Sequence, residues 1–170
     1  MDSTALREVQ APLKEKYRAD PDAAIVTLTA RGDLADDGIA CKVDTGRALV
    51  EAGLHPATGG SGLEACSGDM LLEALVACAG VTLKALATAI DFKLRGGSVS
   101  AEGDLDFRGT LGVDRAAPVG FSDIRLRFTL DTDEPEERRQ NLLRLTERYC
   151  VVLQTLRNAP PTQADLVTGG

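Results

Sequence analysis

The N-terminal part of the chain alternates between helical and extended hydrophobic patterns. In residues 4–18, apolar positions recur every three or four residues around an interruption at Pro12, which favours a short helix. Residues 23–30 and 39–43 are apolar enough to form strands, and the polar segment 31–38 between them contains two glycines. We therefore expect two strands joined by a turn.

The clearest predicted element is a long central helix. Residues 46–54 precede it as a third extended segment, and residues 55–62 contain three glycines without periodicity, which is typical of a loop. Residues 69–90 are then rich in Ala, Leu and Met, the strong helix formers. Ser67 and Asp69 supply the hydroxyl and carboxylate that favour a helix start.

This central helix is apolar on every side. One sheet can cover only one face of it, and a helix that is apolar all round is normally buried all round. Left exposed, the uncovered face would exceed the apolar patches that monomers usually show. We therefore expect a second helix or a second subunit to enclose it.

Two strands and a second helix are predicted after the central helix. Residues 99–107 and 123–130 alternate between apolar and polar side chains, as half-buried antiparallel strands do. Asp133 and Glu136 have the spacing of a capping box with Pro135 in the first turn, so a helix should begin there. Its apolar stripe consists of Leu142, Leu145, Tyr149 and Val152, and it should end near residues 158–161, where two prolines stand.

The order of these elements predicts an α+β fold. Strands, a helix, two strands, a helix and a last strand at 162–168 follow one another without regular βαβ alternation. A length of 170 residues fits one domain. We expect residues 23–170 to form that domain and residues 1–22 to be an N-terminal helical extension.

Charge and composition exclude several classes of partner. The net charge is −7 and the pI is near 4.7, whereas nucleic-acid-binding proteins normally present a basic surface. The chain has no Trp, two Tyr and four Phe, so aromatic side chains for stacking bases are scarce. No apolar run approaches the roughly 18 residues of a membrane span, and no secretory signal is visible. We expect a cytoplasmic protein that binds neither nucleic acid nor membranes.

The cysteines are the residues with the most chemical potential. They are Cys41, Cys66, Cys78 and Cys150. Without a signal peptide, a structural disulfide framework is not expected. The chain has no C-x-x-C pair and His55 is its single histidine, so we predict no metal site. The cysteines are then either inert and buried or chemically active.

Cys78 and Cys150 are candidates for a redox pair. Cys78 lies in the middle of the central helix, and Cys150 ends or immediately follows the second helix, where a bend would start a new helical turn. A dithiol that cycles to a disulfide needs one thiol with a lowered pKa and a second within bonding reach. A helix N-terminus at Cys150 would stabilise a thiolate. The sequence leaves open whether the two cysteines meet, and packing as small apolar residues is the alternative.

Two segments of the chain resemble the OsmC/Ohr family, the osmotically induced and organic-hydroperoxide-resistance proteins. Residues 67–87, SGDMLLEALVACAGVTLKALA, are similar to the central helix of the family. Residues 145–158, LTERYCVVLQTLRN, are similar to its second motif, a cysteine after a helix followed by V-S-Q-x-L-like residues. By this resemblance, which covers residues 23–168, Cys78 matches the peroxide-attacking cysteine and Cys150 the resolving cysteine.

The resemblance implies a fold and an activity. Family members are intertwined homodimers in which long helices pack between antiparallel sheets shared by both chains. Their best-studied branches reduce organic hydroperoxides to alcohols. A thiolate is oxidised to a sulfenic acid, the second cysteine condenses with it to a disulfide, and an external dithiol, such as that of a lipoylated protein, restores the pair. No cofactor or metal is required.

The sequence departs from the family at the acid that activates the thiolate. Gly68 stands where the peroxidases carry a glutamate. Asp69 is the nearest acid, and we expect it to support the Cys78 thiolate. Glu73 is the other candidate, but on a straight helix it points about 140° away from Cys78.

The other candidate residues lie in loops and strands. An unperturbed cysteine is only a few per cent thiolate at neutral pH, so a guanidinium is expected beside the reacting thiol. The family's activating arginine comes from the first hairpin; no motif identifies it here, and Arg31, in the turn after the first strand, is the topological candidate, with Arg47 as the alternative. Each is otherwise a solvated charge. Cys66 could compete as the resolving partner, whereas Cys41 fits a packing role. His55 and the glycines after it form a loop that could close over a substrate.

Two other classes of function compete with a peroxidase. One is a non-enzymatic redox sensor or small-molecule-binding protein of the same family, in which the activating acid and arginine are lost. Gly68 in place of the glutamate is the feature that favours it. The other is a thiol enzyme for acyl transfer, for which His55 in a loop is a poor general base.

Overall fold

The computed structural model describes residues 3–34, 41–43, 52–63 and 65–166. Its strands are β1 Ile25–Leu34, β2 Cys41–Val43, β3 Ala52–Gly53, β4 Ala65–Cys66, β5 Gly96–Asp106 and β6 Phe121–Asp131. An antiparallel sheet has the order β2-β1-β5-β6, and β3 pairs with β4 in parallel. The antiparallel pairing agrees with the alternation of polar and apolar residues in β5 and β6.

A long central helix lies against this sheet. The helices are α1 Ser3–Ala19, α2 Ser67–Ala89, α3 Phe107–Thr110, α4 Glu136–Tyr149 and α5 Val151–Arg157. α2 contacts β1 and β5 on the sheet, and it also contacts α4 and α5. The predicted α+β class with a long central helix is therefore confirmed.

Within one chain, α2 is buried on one face and exposed on the other. Its buried face packs into the main core, whereas Met70, Leu71 and Val81 are 38%, 38% and 41% exposed. A single chain therefore does not bury α2 on every side, as the sequence predicts for this helix. α2 is also long and apolar enough to cross a bilayer by length and composition, a test that core helices of this kind pass as well. The residues buried on α2 are Leu72, Leu75, Val76, Ala79, Gly80, Leu83 and Ala87.

The N-terminal helix is present as predicted and is tied to the domain. Tyr17 is buried in a second cluster with Ala24 and Phe107. Its hydroxyl donates to the carbonyl of Ala57 at 2.7 Å, which fixes α1 to the loop before α2. Pro12 lies inside the helix without ending it.

The first strand differs from its predicted bounds. A 3₁₀ turn at Pro21–Ala24 delays its start, and pairing with β5 carries it on to Leu34. The predicted turn at 31–38 is therefore wrong at its first four positions, where the long partner strand supplies backbone partners. The rest of that turn and most of the extended segment 46–54 lie outside the described residues.

The second helix begins later than its capping pattern predicts. Pro135 occupies the N-cap position without a side-chain cap, and the helix begins at Glu136. Asp133 is therefore not the cap. It is bound instead by Arg95, which also bonds Asp131 at 2.6 Å, because the start of β5 lies beside the end of β6.

Two further predictions for the C-terminal part are wrong. Tyr149 is 53% exposed, and Thr146 lies in the core instead, since its hydroxyl is satisfied by the Leu142 carbonyl at 2.8 Å. Residues 162–166 are irregular and exposed rather than a strand. No described strand pairs with this segment, and residues 167 and 168 lie outside the described residues.

Candidate active site

The bend between α4 and α5 brings Cys150 against α2. Cys150 has extended backbone angles, φ −70° and ψ 107°, and α5 begins at the next residue. The prediction that Cys150 follows the second helix, at the start of a new helical segment, is confirmed. Cys150 is fully buried and Cys78 is half-buried in α2. Their side chains are hydrogen-bonded to each other, so the fold brings these two thiols together.

Hydrogen-bond donors from α2 and α5 surround the sulfur of Cys78. They are the backbone amides of Val151 and Val152, the side chain of Thr82 and the thiol of Cys150. Burial raises the pKa of Cys78, but these donors outweigh burial and hold the pKa below its ordinary value. Hydrogen bonds to a charged group favour its charged form. All of these donors are neutral, whereas the sequence predicts a guanidinium beside the reacting thiol.

Cys150 has the opposite electrostatic setting. Burial and, to a lesser extent, the neighbouring Cys78 raise the pKa of Cys150 to about 11, although the amides of Leu153 and Val152 act against them. Cys150 therefore stays protonated and donates its S–H to the Cys78 sulfur. The sequence predicts that a helix N-terminus stabilises a thiolate at Cys150; the amides of Leu153 and Val152 do lower the pKa of Cys150, but burial outweighs them.

This arrangement separates a nucleophile from a protonated partner. The thiolate is the reactive form of a cysteine, and the lowered pKa of Cys78 increases its thiolate fraction. Cys150 lies within hydrogen-bonding contact, so a disulfide between the two needs only a short movement of the sulfur atoms. The pair has the chemistry of a reversible two-electron thiol centre.

Asp69 is not beside Cys78 within one chain. It lies in the first turn of α2, about 14 Å from Cys78 along the helix at 1.5 Å per residue. Nine positions at 100° each also place it on the opposite side of α2. Burial raises the pKa of Asp69, and the neighbouring His55 lowers it. Glu73 lies on α2 as well, about 140° around the helix from Cys78.

The predicted arginines lie largely outside the described residues. The backbone of Arg31 is in β1 opposite Ser100. Its side chain, the side chain of Cys41 and the whole of Arg47 lie outside the described part of the chain. Where the chain is described, no cluster of three or more His, Cys, Asp or Glu side chains has the arrangement of a metal site.

Cys66 and His55 belong to a separate cavity. Cys66 immediately precedes α2, about 18 Å along the helix from Cys78, which is beyond disulfide reach within one chain. Both residues line a cavity of about 400 Å³. The His55 ring stacks on Phe107 at 5.0 Å, and its Nδ1 accepts from the Ala57 amide at 3.0 Å. His55 is therefore not placed as a base for Cys78.

Three contributors to the site were missed by sequence reasoning. Thr82 follows Cys78 by one helical turn, and that spacing alone puts both on the same side of α2. The amides of Val151 and Val152 carry no signal in the sequence, because their direction depends on the angle of the bend. Only the packing of α5 on α2 decides that angle.

Comparison with known proteins gives a family and a fold. A family model described as "OsmC-like protein" matches residues 60–165. Among solved structures, the chain is similar to an OsmC-like hydroperoxide resistance protein from Jannaschia sp. CCS1, with 19% identity and a TM-score of 0.62. The match covers 86% of this chain and 95% of that one, and at this identity it shows the fold. No curated protein matches the chain.

Proposed function

The chain belongs to the OsmC-like protein family, and from this premise we propose that it is a thiol peroxidase that reduces organic or lipid hydroperoxides. The observation that carries the proposal is the contact between Cys78 and Cys150, whose pKa values are displaced in opposite directions. Family membership supports a redox role, and the structural neighbour is described as a hydroperoxide resistance protein.

In the first step, the Cys78 thiolate attacks the terminal oxygen of the hydroperoxide. The O–O bond breaks, the hydroxyl group is transferred to sulfur as a sulfenic acid, and the alkoxide leaves and takes a proton from solvent. The sulfur is oxidised by two electrons and the peroxide is reduced to an alcohol. A lowered pKa of Cys78 favours this step, because the thiolate is the nucleophile.

In the second step, Cys150 resolves the sulfenic acid. Its sulfur bonds to the Cys78 sulfur, and the sulfenic oxygen leaves as water with the proton of Cys150. An external dithiol, such as that of a lipoylated protein, then reduces the disulfide by thiol–disulfide exchange. The proposal needs no bound cofactor. It places the protein in the cytoplasm, where thiols are kept reduced.

The proposal includes a homodimer. The exposed side of α2 carries Met70, Leu71 and Val81, and a second chain would cover it. Since Asp69 is distant from Cys78 in its own chain, its proposed support of the thiolate would act across this interface. Arg31 is proposed as the guanidinium that this carboxylate orients.

A redox sensor is the second candidate. The specific observation in its favour is that Asp69 is distant from Cys78 in one chain, so that among the described residues only neutral donors reach the Cys78 sulfur. A sensor would use the same dithiol pair, but it would be oxidised once per signal and would not need rapid turnover.

Turnover of cumene hydroperoxide with dihydrolipoamide tests the proposal. We expect Cys78→Ser to abolish turnover, and Cys150→Ser to permit one oxidation event without recycling. Cys66→Ser is the matched control and should retain turnover. Peptide mapping after one equivalent of peroxide should find a Cys78–Cys150 disulfide. Oxidation of the wild type without turnover would favour the sensor, and full activity of Cys78→Ser would refute both.

A further inference from the structure

The bend at Cys150 redirects backbone amides from α4 to Cys78. In an unbroken helix, the Val151 amide would donate to the carbonyl of Glu147, four residues earlier. Here the amides of Val151 and Val152 donate to the Cys78 sulfur instead. The Glu147 carbonyl thereby loses the donor it would have in a helix, and backbone carbonyls in folded proteins are almost always paired.

The side chain of Gln154 supplies the missing donor. Its Nε2 donates to the Glu147 carbonyl at 2.7 Å in a partly buried position. Its own backbone amide donates to the Cys150 carbonyl at 2.9 Å and so closes the first turn of α5. Arg157 adds a more exposed link, to the Glu147 carboxylate at 2.7 Å. Gln154 thus joins the beginning of α5 to the end of α4.

We propose that Gln154 is a positioning residue for the Cys78 thiolate, because its carboxamide takes the place of the Val151 amide on the Glu147 carbonyl and leaves that amide free for Cys78. The inference rests on the proposed use of Cys78 as the reacting thiolate. Gln154 does not touch the sulfur; it acts by holding the bend at the angle that directs the first amides of α5 to it.

Removing the carboxamide creates a competition for the Val151 amide. The unpaired Glu147 carbonyl then accepts from Val151, as in a continuous helix, and the bend relaxes. The Cys78 sulfur loses a donor, and loss of a hydrogen bond to the charged form makes the thiolate less stable. The pKa of Cys78 should therefore rise.

Gln154→Met tests this directly, since Met has a similar length and no strong donor. The readout is the pH dependence of iodoacetamide alkylation at Cys78, followed by peptide mass spectrometry in the full-length protein. We expect the pKa of Cys78 to rise by about half a unit to one unit, with about three- to tenfold slower alkylation at neutral pH. Gln140→Met is the matched control, because the Gln140 carboxamide lies on α4 and donates to the exposed Glu136 carboxylate at 2.6 Å.

A purely structural role would give a different result. If Gln154→Met lowers the melting temperature but leaves the pKa of Cys78 unchanged, the proposal is overturned. If Gln154→Met fails to fold, Gln154→Asn is the second variant. It keeps the carboxamide, but its side chain is too short to reach the Glu147 carbonyl. An unchanged pKa of Cys78 in Gln154→Asn would also overturn the proposal. The alkylation readout is independent of peroxide turnover. A wild type that alkylates as expected but does not turn over would refute the proposed function alone.

Discussion

The thiol of Cys150 donates a hydrogen bond to the sulfur of Cys78, and this contact moves the pKa values of the two cysteines apart. The same bond stabilises a thiolate at one end and requires a proton at the other. Which cysteine attacks and which one resolves is therefore set by burial and by donor direction.

The first prediction concerns the pH dependence of the two thiols. Because the pKa of Cys78 is lowered, its thiolate should form at a lower pH than that of an ordinary cysteine and be lost as the pH falls through that lowered value. Cys150 should stay protonated until the pH approaches about 11. Iodoacetamide labelling from pH 5 to 11, resolved by peptide, should show Cys78 reacting first. Labelling of Cys150 at lower pH than Cys78 would contradict the arrangement.

The second prediction concerns Thr82. Thr82→Val keeps the shape and removes the hydroxyl that donates to Cys78. We expect the pKa of Cys78 to rise by about one unit, since a hydrogen bond to a charged group contributes ~1.5 kcal/mol. Thr82→Ser retains the donor and should label like the wild type. If Ser shifts the pKa as much as Val does, packing rather than hydrogen bonding holds the thiolate.

The third prediction concerns assembly. Light scattering at micromolar concentration should give about twice 17.9 kDa, because the exposed side of α2 requires cover. Leu71→Asp should weaken the dimer at least about tenfold, since it buries an unpaired charge in the interface. Leu166→Asp is the control, at a position 94% exposed in the irregular C-terminal segment. A well-folded wild-type monomer at that concentration would refute the dimer.

The fourth prediction concerns Asp69 and uses mixed dimers. A dimer of one Cys78→Ser chain and one Asp69→Asn chain keeps one site with an intact Cys78 and the partner's Asp69. It should show about half the wild-type turnover. A dimer of one wild-type chain and one chain with both substitutions should be about ten- to a hundredfold slower, since its intact cysteine lacks the orienting carboxylate. Equal turnover rates in the two mixed dimers would show that Asp69 does not support the Cys78 thiolate.

Hydrophobic periodicity along the chain predicts much of the fold. The central helix and the strands β5 and β6 could be predicted within a few residues, because their patterns extend over many positions and agree with local propensity. Cys78 and Cys150 could be singled out from their motifs. Thr82 was within reach too, since the spacing of one helical turn is a local property.

Tertiary contacts decided the outcome at positions where local signals compete. β1 extends beyond its predicted end because β5 supplies backbone hydrogen-bond partners. Asp133 does not cap the second helix because it forms an ion pair with Arg95. The meeting of Cys78 with Cys150 also depends on tertiary structure. It requires the bend angle between α4 and α5, which long-range packing sets and no spacing along the chain encodes. The sequence by itself thus determined the two thiols, and only the packing of α5 on α2 decided that the pKa is lowered at Cys78 and raised at Cys150.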